Sequence, residues 1–153
     1  MEIEKNAIKS LRDRTGISIM QCKTALEEAG GDQERAIDVL KEKGVAMSNK
    51  KKGRTLGAGI VGVYVHTTGD VGAMVELLCE TDFVAKNDEF KQLANDLAMQ
   101  VAAIAVEGKK DLLAAEFIKD PSKKIEDLIK GAVQKFGENT DIGEISRFSI
   151  SGR

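Results

Sequence analysis

The spacing of hydrophobic positions along the chain shifts from helical to alternating, back to helical, and at the end to alternating again. The first 44 residues carry three short helical patterns. Ile8 and Leu11 share one face of a helix running to about Arg14, and Thr15-Gly16 breaks it. Ser18 opens "SIMQ", a capping box in which Gln21 would reach back to the first amide. Cys22, Ala25, Leu26 and Ala29 then follow at i, i+3, i+4 and i+7. Gly30-Gly31 ends that helix, because glycine enters the left-handed region without strain. Asp32 caps a third helix, with Ala36, Ile37 and Leu40 inward and Gly44 as its stop. A bundle of about forty residues buries little, so it is expected to lean on a partner or on the rest of the chain.

Residues 45–57, "VAMSNKKKGRTLG", sustain no period and carry Lys50, Lys51, Lys52 and Arg54. They read as a solvated basic linker, with a phosphate contact as the sharper alternative. Beyond them the period is two. Val61, Val63 and Val65 alternate with Gly62, Tyr64 and His66, and Val71, Ala73, Val75 and Leu77 follow the turn residues "TTGD". That is an antiparallel hairpin. From Asp88 a long stripe returns at helical spacing: Phe90, Leu93, Ala94, Leu97, Ala98, Val101, Ala102, Ala105. "EGKKD" breaks it, and an indistinct segment around "LLAAEF" follows. Asp120 and Pro121 fit the cap and first position of another helix, striped by Ile125, Leu128, Ile129, Ala132, Val133 and Phe136 and stopped by Gly137. "GEISRFSISG" alternates as a third strand. The expected fold is α+β: a three-helix bundle over 1–44, a linker over 45–57, and a core over 58–153 in which a three-stranded antiparallel sheet packs against helices.

Composition narrows the function. Lys plus Arg is 23 and Asp plus Glu is 25, a net charge of −2. That balance argues against a general nucleic-acid binder, which would need a basic surface for phosphates. Cys22 and Cys79 form no CxxC pattern and read as reduced, buried thiols. The start has no signal-peptide core, and "VAAIAV" is too short to span a bilayer, so a cytoplasmic protein without membrane contact is expected.

Candidate chemistry is sparse. "GAGIVG", Gly57 to Gly62, matches G-x-G-x-x-G letter for letter. A dinucleotide site needs a strand before the glycines and a helix after them, and the order here is linker then strand. Close packing or a bulge explains these glycines better. His66 with Cys79 and Asp82 is a conceivable thiol nucleophile set, but nothing in the sequence fixes them side by side. One histidine and two cysteines make a poor structural zinc set, and no carboxylate pair stands out. The expectation is a non-enzyme with no metal and no cofactor.

Phe83 is the remaining anomaly. It follows Thr81-Asp82 at a polar junction, and positions three and four residues ahead are Lys86 and Asn87. The pattern leaves two readings open, a core plug at a strand-to-helix corner or an exposed anchor for a partner.

"LRDRTGISIMQCKTALEEAGGDQERAIDVLKEKG" resembles the N-terminal signature of the elongation factor Ts family, and "ELLCETDFVAKNDEF" resembles its second signature, centred on T-D-F-V-A. "FIKDPSKKIEDLI", "KFGEN" and "RFSISG" are similar to the end of the family's core. The resemblance spans residues 5 to about 106 and 117 to 151. It implies a guanine-nucleotide exchange factor that binds the GTPase domain of elongation factor Tu, with a UBA-like N-terminal bundle. Thr81, Asp82, Phe83 and Val84 would then form the magnesium-dislocating element, with the phenylalanine as a wedge. Arg12, Ile19, Met20 and Lys23 would dock the bundle, Ile19 standing where the family often has methionine. The resemblance implies no catalytic residue. A binding module with little exchange activity is the alternative reading. An RNA-binding role for Lys50 to Arg54 is the weakest. The short "EGKKDLLAAE" connection departs from the family, in which a longer insertion or a second core half is common. It leaves a minimal one-core factor or a homodimer formed by sheet edges. Phe136, where an aliphatic residue is common, and the acidic "NTDIGE" have no explanation in the sequence.

Overall fold

A computed structural model describes residues 2–150. Met1 and the expected strand residues Ser151 and Gly152 lie outside the described residues. The N-terminal part holds α1 (Lys5–Thr15), α2 (Ile19–Glu28) and α3 (Gln33–Lys51). Gly16 ends α1 in the left-handed region, at φ 70°. Ser18 Oγ accepts from Gln21 N at 3.3 Å and Asp32 Oδ1 from Arg35 N at 3.1 Å, so both expected caps form. The Gln21 half of the capping box does not form. Its amide turns outward to the Gln134 carbonyl, 3.5 Å away. Leu11, Ile17, Cys22, Ala25, Leu26, Ala29, Ala36 and Leu40 close a small core of their own.

The third helix does not stop at Gly44. It runs on to Lys51, through half of the stretch expected to be linker. Tertiary packing overrides the glycine: α3 lies against α7 (Ile125–Phe136), and Gly44 is buried beneath Gln134. A Cβ at position 44 would stand 2.5 Å from Gln134 Oε1. The Gln134 amide donates to the Leu40 carbonyl at 2.8 Å, and Lys51 Nζ to the Gly137 carbonyl at 2.6 Å.

The sheet has the order β1 (Ala58–Val65), β2 (Val71–Cys79), β5 (Asp141–Ser149), all antiparallel. One face carries α5 (Asp88–Ala103), whose stripe from Phe90 to Ala102 is buried with Ala73, Val75, Leu77 and Ile142. The phase of β1 is the less obvious one: Gly62 faces the core and Val61, Val63 and Val65 face outward. Gly62 is required there, because a Cβ would overlap the backbone carbonyl of Ala94 on α5. Asn95 Oδ1 accepts from Val63 N at 3.1 Å and pins the helix to the strand edge.

After α6 (Lys109–Ala114), the helix expected from Asp120 is instead a strand. β3 (Glu116–Phe117) pairs with β4 (Asp120–Lys124). Asp120 Oδ1 accepts from Ser122 N at 3.2 Å and from Ser122 Oγ at 2.6 Å, a local turn that competes with helix initiation. The helix starts at Ile125, where Asp127 Oδ2 takes the Lys124 N–H at 2.9 Å. Buried Gln100, read as part of no stripe, holds this hairpin by donating to the Glu116 carbonyl and accepting from Ile118 N, both at 2.9 Å. Phe136 finds an explanation in its edge-on contact with Phe90, ring centres 5.7 Å apart.

Candidate functional site

At the end of β2 the chain leaves the sheet and makes a four-residue helix, α4 (Asp82–Ala85). So short a helix has no stability of its own. Thr81 caps it, Oγ1 accepting from Val84 N at 3.4 Å, and Asn87 Oδ1 starts α5 by accepting from Glu89 N at 2.8 Å and Phe90 N at 3.3 Å. Val84 and Ala85 point into the core, Val84 being 6% exposed. Phe83 points the other way and is 90% exposed. The core-plug reading of Phe83 is therefore excluded. Thr81 and Asp82 are exposed beside it. Of the four residues of the segment, Val84 is the buried one, so it acts as the anchor of the turn.

The segment is fastened from a distant part of the chain. Glu138 Oε1 accepts from Glu80 N and Thr81 N, each at 3.0 Å, and Oε2 accepts from Thr81 Oγ1 at 2.7 Å. Asn139 N donates to Glu80 Oε2 at 2.6 Å, and Arg54 lies 3.6 Å from the same oxygen. The buried Asn139 side chain donates to the carbonyls of Arg54 at 2.8 Å and Lys52 at 3.3 Å. Gly137, left-handed at φ 73°, ends α7 and turns the chain toward these contacts. Neither Glu138 nor Asn139 was legible as a site residue. Their partners lie more than fifty residues away, and no local pattern announces such a pairing.

The N-terminal candidates form a second group. Ile19 is 56% and Met20 72% exposed on the first turn of α2, with Lys23 exposed one turn on. Arg12 is exposed on α1, close enough that its charge acts on the Cys22 thiol. The two groups sit on separate elements, bridged through Lys135. Its ammonium lies beside Gly16 in the α1–α2 turn and pairs with Glu89 on the first turn of α5. Burial pushes the Lys135 ammonium below its ordinary range.

The conceivable thiol set is not assembled. Cys79 pairs with Ala58 at one end of the hairpin, while His66 follows Val65, which pairs with Gly72 at the other. At about 3.3 Å per residue that is roughly 20 Å. Burial raises the Cys79 thiol, and the Glu138 carboxylate raises it further, the reverse of an activated nucleophile. Burial likewise raises Cys22, against partial relief from Thr15 and Arg12. His66 Nδ1 instead meets Thr68 Oγ1 at 2.9 Å in the hairpin turn. Among the described residues no group of three or more His, Cys, Asp or Glu is arranged to hold a metal ion. No described helix is long and apolar enough to cross a membrane.

Residues 80–153, beginning one residue before Thr81, match the family described as Elongation factor TS. The chain is 43% identical to Elongation factor Ts of Thermotoga petrophila over 94% of its own length and 79% of that protein. It is 40% identical to Elongation factor Ts of Thermodesulfovibrio yellowstonii, covering 98% and 97% of the two chains. It is 39% identical to Elongation factor Ts of Leptospira biflexa, covering 99% of this chain and 100% of that one. The last alignment runs over 197 positions against 153 residues here, so that relative carries extra residues inside the shared fold. An α+β chain with these relatives falls among the translation elongation factors. Within them, it belongs to the elongation factor Ts family.

Proposed function

We propose that this chain binds elongation factor Tu in its GDP form and promotes GDP release by inserting Phe83 into the GTPase domain, which dislocates Mg²⁺. The observation that carries the reading is the 90% exposure of Phe83 on a turn capped by Thr81 and anchored by the buried Val84 and Ala85. A solvated aromatic ring on a fixed turn is a ready anchor. A GTPase of this class holds GDP through backbone amides, a lysine and Mg²⁺ on the phosphates. An exchange factor must prefer the nucleotide-free form, and by linkage it weakens GDP by the factor by which GDP weakens it. A wedge that fits only the displaced conformation supplies that preference. Thr81 caps the turn, Asp82 flanks the ring, and Val84 anchors it. Arg12, Ile19, Met20 and Lys23 dock the N-terminal helices on the same domain. No bond is made or broken, so the role needs no catalytic residue and no cofactor. The work is cytoplasmic, where the GTPase is.

The test is release of fluorescent GDP from elongation factor Tu. Wild-type chain accelerates it, and Phe83→Ala removes about 2 kcal/mol of the preference, a roughly thirtyfold loss of acceleration. Tight binding with unchanged release would select the alternative, a binding module without exchange activity. Phe83→Ala at the wild-type rate would sink the wedge.

The proposed assembly includes a second copy of the chain. Val61, Val63, Val65, Met74 and Phe148 are all exposed on the sheet face opposite α5. The face, rather than the strand edges, is the surface we assign to the homodimer.

A further inference from the structure

Phe83 has no packing of its own to hold it, so its aim depends on how Thr81 and the two buried residues behind it are fixed. Val84 and Ala85 hold the turn from below. Thr81 holds it from the N-terminal side: its carbonyl accepts from Ala85 N at 3.2 Å and Cys79 Sγ at 3.3 Å, and both of its own donors, the amide and the hydroxyl, go to one side chain, Glu138. Both amides that leave the sheet, Glu80 N and Thr81 N, converge on Glu138 Oε1, and the Thr81 hydroxyl donates to Oε2. Donating to Glu138 also orients the Thr81 oxygen to accept from Val84 N, so the carboxylate completes the cap. Hydrogen bonds to an ionised acceptor are the stronger kind. From these contacts we propose that Glu138 is a positioning residue for exchange: it never touches the nucleotide and acts by fixing the direction in which Phe83 is presented.

Asn139 extends the device. Its backbone fastens Glu80, and its side chain ties the Lys52 and Arg54 carbonyls, where α3 hands over to the sheet. The end of the helix that belongs to the docking module and the turn that carries the wedge are thus tied to two consecutive residues. This places Phe83 at a fixed offset from the docking helices before any partner arrives. Preorganisation of that kind removes an ordering cost from the step in which Phe83 is inserted, after the N-terminal helices have docked. This inference rests on the exchange reading above.

The experiment compares wild type, Glu138→Ala, Glu138→Gln, Phe83→Ala and the Glu138→Ala/Phe83→Ala double variant. Each is first checked for a cooperative thermal transition. Release of fluorescent GDP from elongation factor Tu is then followed at saturating and sub-saturating factor. Glu138→Ala lowers the saturating rate about tenfold, the scale of a misaimed group, and leaves the half-saturating concentration nearly unchanged. Glu138→Gln keeps an acceptor for the two amides and loses the one for the Thr81 hydroxyl, so it recovers part of the rate. On the Phe83→Ala background, removing Glu138 changes nothing further. A wild-type saturating rate in Glu138→Ala overturns the proposal. So does an equal loss with and without the Phe83 ring, because a general structural role would be additive. If Glu138→Ala does not fold, the same cycle built on Glu138→Gln decides the matter. A failure of the exchange reading looks different: the wild-type chain itself would then leave GDP release unaccelerated, and a failure of the wedge alone would leave Phe83→Ala at the wild-type rate.

Discussion

A methyl group at position 62 has nowhere to go, since the Ala94 carbonyl occupies its place and backbone cannot swing aside. At Gly44 the neighbour is the end of the Gln134 side chain, which can move. The same substitution therefore has different consequences at the two sites. Gly62→Ala is expected to cost about 2 kcal/mol or more through overpacking between β1 and α5, read as a lower urea midpoint. Gly44→Ala gains roughly 0.5–1 kcal/mol of helix preference, set against displacement of the Gln134 amide, so its midpoint stays near wild type. Equal midpoints for the two variants would show that α5 does not sit as close to β1 as described. Once the phosphate pattern of "GAGIVG" was set aside, close packing was the expected role of its glycines, and Gly62 has it, whereas Gly44 looked like a helix stop. Which atom approaches a glycine is a tertiary fact, and one sequence does not hold it.

Elements with a local cause were legible, and elements with a distant cause were not. The stripe of α5, the caps at Ser18 and Asp32 and the turn between β1 and β2 are written in adjacent residues. Phe83 was legible as an exception to every stripe, though its exposure needed the structure. The last two turns of α3 have a distant cause, in α7, and the β3–β4 hairpin joins a local turn at Asp120 and Ser122 to a distant hold by Gln100. The α3–α7 contact is polar where it is most buried, because Gln134 there reaches both Leu40 and Gln21. Removing it leaves two faces with little apolar cement. Gln134→Ala is expected to cost about 1–2 kcal/mol and to loosen the N-terminal helices from the sheet while their own core stays intact. NMR relaxation checks this: residues 5–40 should tumble faster in the variant than in wild type. Unchanged relaxation across both parts would mean that Lys51 and Asn139 suffice to hold the interface.

At the scale of the whole molecule, the unfinished surface is the sheet face away from α5. Its rows near the hairpin turn hold Val63, Met74 and Ser146, then Val65, Gly72 and Phe148, and Phe148 is 73% exposed. Contiguous apolar surface of this kind is a site of association. A second copy suits it better than a charged partner does. The apolar rows carry no charge, and Glu76 and Glu144 sit toward the other end of the face, where a two-fold axis through the apolar rows keeps like charges apart. Strand edges are a weaker choice, because Asn95 already occupies the Val63 amide on β1. Sedimentation equilibrium at micromolar concentration should give twice the 16.5 kDa chain mass. Val63→Lys buries a charge at the centre of that face and should weaken the dimer by about 2 kcal/mol or more, near thirtyfold in Kd. A monomer at every concentration removes the dimer from the proposed assembly and frees the face for the GTPase. A dimer that survives Val63→Lys together with Met74→Lys moves the contact to the sheet edges, the one form of dimer that the sequence left open beside a minimal one-core factor. Exchange measured on the monomeric Val63→Lys chain then says whether pairing serves Phe83 at all. The ring and its clasp lie at the opposite end of β2 from the apolar rows, so release per chain should be unchanged.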